Sequence, residues 1–191
     1  MPGEVFSIRV TCHIGKENLQ QHSKRAQFEQ TVLGHLDAAY NLARWLTRDD
    51  VDAQDVVQEA CLRAFQYYDG FRGGDSRAWL LAIVRNTCYS WLHKNRAHEL
   101  LSFDEELSDV ESDATPEEKL LERIDQQALR QALEELPAEF REVIILRELE
   151  DLSYKEIAHI AAIPLGTVMS RLARARKQLQ QRLARSETRE I

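Results

Sequence analysis

The sequence is poor in the features that would take it away from a helical, single-compartment protein. Seven glycines and four prolines are few for 191 residues, and alternation of apolar and polar residues with period two is largely missing, which leaves all-α as the fold class. No apolar run approaches the ~18 residues of a membrane span. The opening MPGEVFSIRVTCHIGKEN lacks the basic-then-apolar order of a signal peptide, so the chain is expected in the cytoplasm. The three cysteines, Cys12, Cys61 and Cys88, are odd in number and lack CxxC spacing, which argues for buried thiols rather than a disulfide or zinc framework. Cys12 and His13 are adjacent possible ligands without a second pair, so no metal is expected. No nucleophile–base pair stands out, and the expectation is a protein that is not an enzyme, without cofactor or small-molecule substrate.

Charge is present but unevenly placed. The formal net charge is -7, yet nine acidic residues and no Lys or Arg lie between Glu99 and Glu118. Setting those nine aside leaves +2, so the flanking segments are close to neutral. Like charges repel and this stretch offers little to bury, which reads as an acidic flexible linker. Two small helical domains are expected on either side, 26–97 and 119–186, with an N-terminal extension 1–25, the linker 98–118 and a tail 187–191.

The second domain ends in a basic stretch. Six Lys or Arg and no acid lie between Arg171 and Arg185. Upstream, Ser153 and Glu156 form a capping box that should start a helix, and Pro164 disfavours helical geometry at Ile163 while suiting the first turn of the next. Two helices about three residues apart is helix-turn-helix spacing. On the second helix, 100° per residue puts Leu165, Val168, Leu172, Ala175 and Leu179 on a packing face, with Ser170, Arg174 and Lys177 opposite. The outward set suits a major groove: Arg174 for guanine, Ser170 for a base edge, Ala173 for a thymine methyl, with Thr167 and Lys177 as further base contacts. Arg171 and Arg176 on the flanks would neutralise phosphates.

In the first domain, DAQDVVQEACLRAF begins with Asp52 as an expected cap and buries Val56, Val57, Ala60, Cys61, Ala64 and Phe65. The opposite face carries Asp55, Gln58, Glu59, Arg63 and an apolar Leu62. DSRAWLLAIVRNTCYSWLHKNR buries Leu80, Ile83, Val84, Thr87, Cys88 and Trp91, and turns Arg85, Asn86, Tyr89, His93 and Arg96 outward. Cations interleaved with an aromatic and an amide suit unpaired DNA, where charge follows phosphates and a ring stacks on a base. The preceding loop, Phe71, Arg72, Gly73, Gly74, Asp75 and Ser76, has room for an extruded base, and no Gly-Lys-Ser/Thr makes it a phosphate loop.

Together these motifs resemble the extracytoplasmic-function sigma factors of bacterial RNA polymerase. DAQDVVQEACLRAF with FRGGDSRAWLLAIVRNTCYSWLHKNR resembles their domain two, and LPAEFREVIILRELEDLSYKEIAHIAAIPLGTVMSRLARARKQL their domain four. The resemblance implies a polymerase subunit that directs the core enzyme to promoters and helps to open them. It places Asp55, Gln58, Glu59 and Leu62 against the clamp helices of the largest polymerase subunit. Arg85, Asn86, Tyr89 and the loop 71–76 would meet the separated strand of the downstream promoter element. Ser170, Ala173 and Arg174 would read the upstream element as duplex, with Tyr154, Lys155 and Arg171 on its backbone. An anti-sigma factor, often at the inner membrane face, is implied as a further partner. Two positions depart from the pattern: Met169 replaces a common Lys or Arg, and Ala162 replaces a turn Gly, which is tolerable only if that residue avoids a left-handed conformation. Two other readings of the residues are a stand-alone helix-turn-helix regulator with an N-terminal sensing domain, and a metal-sensing module built on Cys12 and His13.

Overall fold

In the computed structural model, residues 18–99 and 117–187 are described, with side chains for residues 24–95 and 126–184. Every regular element among them is helical: α1 (Asn18–Val32), α2 (Leu36–Thr47), α3 (Asp50–Tyr67), α4 (Ser76–Glu99), α5 (Glu117–Glu134), α6 (Ala138–Ile144), α7 (Tyr154–Ala161) and α8 (Leu165–Glu187). Short 3-10 turns follow α1 and α3, and a π-turn, Ile145–Leu149, continues α6. The first helix starts well before residue 26, inside the segment expected to be an extension. Cys12 and His13 lie outside the described residues.

Local chemistry explains most helix ends. The carboxylate of Asp49 accepts from the N–H groups of Val51 and Asp52 at 2.7 and 2.9 Å, so α3 begins earlier than expected and its cap is Asp49 rather than Asp52. Asp75 caps α4 in the same way, accepting from the Ala78 N–H at 3.0 Å. Both arms of the Ser153–Glu156 capping box are formed, at 3.3 and 2.7 Å. Pro164 stands just outside α8, where its carbonyl accepts from Thr167 and Val168. Ala162 does not avoid the left-handed region: it closes α7 at φ 52° and ψ 44°, and its N–H returns to the last turn.

Small residues let the N-terminal helices close tightly. Ala39, Ala43, Ala53, Ala60 and Ala64 are fully buried between α2, α3 and α4, alongside Leu42, Leu46, Leu80 and Val84. Cys88 joins this core and Cys61 its edge, and burial pushes their thiols up, to about 12 and about 11. In the C-terminal half α8 packs on α5, α6 and α7 through Val168, Leu172 and Ala175. Leu165, expected on this packing face, is instead 43% exposed. The two halves share one continuous core, since α4 packs against α7 and α2 against α6.

Candidate nucleic-acid and polymerase interfaces

The helix-turn-helix presents most of the expected duplex-reading set. Ser170, Ala173, Arg174 and Lys177 are exposed along α8, and Thr167 is half-buried, its carbonyl accepting from the Ser170 hydroxyl at 3.0 Å. Neither Arg174 nor Lys177 forms an ion pair among the described residues, whereas Arg171 is tied to Glu139 at 3.1 Å and Arg176 to Glu148 at 2.7 Å. The two flanking cations are thus held to the body of the fold while the two central ones stand free. Lys155 is exposed, and Tyr154 is half-buried with the Arg147 guanidinium 5.6 Å from its ring.

On α3 the expected docking face is open. Asp55, Gln58 and Glu59 are exposed, and Leu62 is 56% exposed among them. Glu59 is paired with Arg63 at 2.8 Å, one helical turn on. Val51 is more exposed still, at 67%, and lies three turns before Leu62 on the same stripe. Sequence reading missed it because nothing distinguished an apolar residue in the first turn from a core one.

The loop before α4 is built over an aromatic floor. Phe71 lies against Trp79, with ring centroids 4.8 Å apart, and against Tyr68 at 6.0 Å. Gly73 and Gly74 adopt φ of 83° and 105°, which only glycine enters at no steric cost. Asp75 is engaged as the α4 cap, and Ser76 shares a hydrogen bond of 2.9 Å with His35. Arg72 is exposed and unpaired among the described residues.

The face of α4 departs from expectation. Asn86 and His93 are exposed, and the Arg96 side chain lies outside the described residues. Arg85 and Tyr89, expected to face outward, are covered by α6: Glu142 accepts from the Arg85 guanidinium at 2.5 Å and from the Tyr89 hydroxyl at 2.9 Å. Arg85 also lies over the Tyr89 ring at 4.5 Å. Glu142 itself has no exposed surface, and burial pushes its carboxyl up against the opposing pull of Arg85 and Tyr89. Burial, with the Glu142 charge adding to it, pushes the Tyr89 hydroxyl up as well. A second cross-link sits at the end of the π-turn, where Glu150 holds Arg77 at 2.5 Å and Asn41 at 3.2 Å. The extra residue in that turn, seen in the Glu150 N–H to Ile145 carbonyl bond, resets the direction in which Glu150 leaves α6. Both carboxylates were visible only as charges interrupting the apolar run REVIILRELE. Next to Glu142, Arg141 is buried with its Nε and one Nη unpartnered, and desolvation lowers its guanidinium to about 10.

Among the described residues no cluster of three or more His, Cys, Asp or Glu is placed to hold a metal, and no helix is long and apolar enough to cross a membrane. Residues 31–98 match the family model for sigma-70 region 2, and residues 126–179 that for sigma-70 region 4. The chain is 33% identical to the RNA polymerase sigma-H factor of Pseudomonas aeruginosa, over 87% of its own length and 91% of the relative's. The chain belongs to the extracytoplasmic-function sigma factors. It is also 33% identical to the extracytoplasmic-function sigma factor SigE of Mycolicibacterium smegmatis, over 84% of its own length and 64% of that protein's. Among solved structures, the sigma factor RpoE of Bartonella quintana, crystallised with the anti-sigma factor NepR, superposes with a TM-score of 0.68 at 32% identity, over 83% of this chain and 97% of that one.

Region 2 of this sigma factor carries the α3 stripe, the glycine loop and the α4 face, and region 4 carries the helix-turn-helix. It is an alternative sigma factor that directs RNA polymerase, and none of these matches supports a stand-alone regulator.

Proposed function

We propose that this sigma factor docks on the largest-subunit clamp helices of core polymerase through Asp55, Gln58, Glu59 and Leu62, and contacts a promoter at two places. The observation that carries this is the presence, on one chain, of an exposed apolar residue ringed by polar groups on α3 and an Arg174–Lys177 set on α8 that is unpaired among the described residues. Ser170, Ala173 and Arg174, with Thr167 and Lys177, read the upstream element as duplex; Tyr154, Lys155, Arg171 and Arg176 hold its phosphates. The loop 71–76 with Arg85, Asn86, Tyr89, His93 and Arg96 receives the separated strand of the downstream element. The chain divides accordingly into residues 26–97 for docking and opening, a connector 98–118, and residues 119–186 for the upstream element.

Opening without ATP requires binding energy that is realised only in the open state. Unstacking costs a few kcal/mol per step, and one base on an aromatic side chain returns about 1–3 kcal/mol. The α4 face alone is therefore a marginal melter, and anchoring by α8 at a spacing fixed by the polymerase supplies the rest. Control by an anti-sigma factor follows the precedent of the RpoE–NepR complex, and the family resemblance alone implies such a factor at the inner face of the membrane. The test is transcription from a candidate promoter with purified core polymerase: specific transcripts with the protein and none without it are expected, and tight operator binding by the protein alone, with no effect on transcripts, would overturn the reading.

A further inference from the structure

Leu165 and Met169 are 43% and 54% exposed on α8, and neither belongs to the core nor packs against it. They are four residues apart, and four further on comes exposed Ala173, so the three form one apolar stripe. The neighbouring stripe carries Ser170, Arg174 and Lys177, and its two cations are unpaired among the described residues. An apolar stripe beside a free cationic one matches one side of a major groove, where the thymine 5-methyl is the sole apolar feature of the base edges. We propose that Leu165 and Met169 read thymine methyl groups in the upstream element, and that Met169 sets the preference where a cation would select guanine. This rests on the reading of α8 as the duplex-reading helix.

Holoenzyme assembled with the full chain is used to select upstream sequences from a random pool, and the enriched duplex is remade with uracil for thymine, which deletes only the methyl. Affinity should fall about fourfold per contacted methyl, the factor given by burying one CH2-sized group, and Met169→Ala should lose one such fourfold step while keeping those due to Leu165 and Ala173. An enriched element that tolerates uracil in the wild type overturns the proposal and leaves the duplex-reading role standing. Failure to enrich any element sinks both.

A separate observation carries a second inference. Arg85 and Tyr89 on α4 have Glu142 of α6 as their partner, and Arg77 of α4 and Asn41 of α2 have Glu150. Four side chains of the N-terminal half are thus held by two buried carboxylates of the C-terminal half. A base cannot stack on Tyr89, nor a phosphate reach Arg85, while Glu142 occupies both. The geometry points to α6 as an intrachain competitor of single-stranded DNA: the free chain masks its own strand-binding face, and the halves part before that face is used.

The test compares the full chain with Glu142→Arg, which sets like charges against Arg85, and with Glu150→Ala, which frees Arg77 and Asn41 and keeps the question open if the first variant misfolds. Small-angle scattering reads the separation of the halves, and anisotropy of a labelled pool of random single-stranded 12-mers reads strand binding. A larger radius of gyration and roughly tenfold tighter strand binding in either variant are expected. Glu139→Ala, which breaks a pair inside the C-terminal half, should change neither readout. Unchanged dimensions and affinity in a folded variant would overturn the proposal.

Discussion

Glu142 and Arg85 meet at 2.5 Å across the junction of the two halves, 57 residues apart in sequence, with the carboxylate fully buried and the guanidinium side chain 17% exposed. Arg171, Tyr89 and Cys88 are the other titratable groups that sense Glu142. Burial outweighs the cations, so Glu142 takes a proton more readily in the closed arrangement than in water. A carboxyl whose pKa is raised by closure favours closure at low pH, and that contribution is lost as pH rises through the raised value. The closed fraction should therefore grow as pH falls through that raised value towards the ordinary carboxylate range. Small-angle scattering across that range reads it; Glu142→Ala should flatten the dependence, and expansion of the wild type on acidification would contradict the assignment.

Ala162 is in the left-handed region at φ 52°, where a Cβ costs about 1–2 kcal/mol. Part of that gain is offset by the greater freedom of glycine in the unfolded chain. Ala162→Gly should stabilise the protein by about 0.5–1 kcal/mol, read as a shift in the urea midpoint at constant slope. A lower midpoint would show that the turn is not strained.

Leu62 is exposed and does not belong to the core, so Leu62→Asp should change folding stability by less than about 0.5 kcal/mol. If the α3 stripe docks on polymerase, the same variant should bind core enzyme about thirtyfold more weakly, the loss of one hot-spot contact. Val51→Asp should show a smaller loss in the same titration. Undiminished binding by both variants would remove α3 from the interface.

Among the described residues Arg174 has no ion pair to give up on binding, unlike Arg171 and Arg176. Arg174→Ala should weaken holoenzyme binding to the upstream element by about 1–3 kcal/mol and relax the preference at one base pair. Equal loss on scrambled duplex would reassign it to the backbone.

Much of this arrangement was legible because it is local. A serine three residues before a glutamate, a proline between two periodic segments and a leucine on a polar face each declare themselves within a few residues, and α7, the turn and Leu62 follow from them. The cap of α3 was misplaced by three residues because DDVDAQD offers several aspartates, and only the backbone decides among them. Leu165 reads as core from periodicity alone, yet it lies in the first turn of α8, 43% exposed and outside the core cluster. Least legible was the pairing of Glu142 with Arg85 and Tyr89. Each surface looked solvated on its own, and only the packing of α4 on α7 and α2 on α6 brings them together.

The central claim is that this chain and polymerase together open a promoter, with Tyr89 as a base-stacking platform. Permanganate reactivity of thymines at the start site tests it most directly. Reactivity should appear only when core enzyme and protein are both present, and Tyr89→Ala should slow its appearance by roughly tenfold or more, the loss of one stacked base, while core docking is unchanged. Equal reactivity and equal opening rate with Tyr89→Ala and wild type would contradict the account.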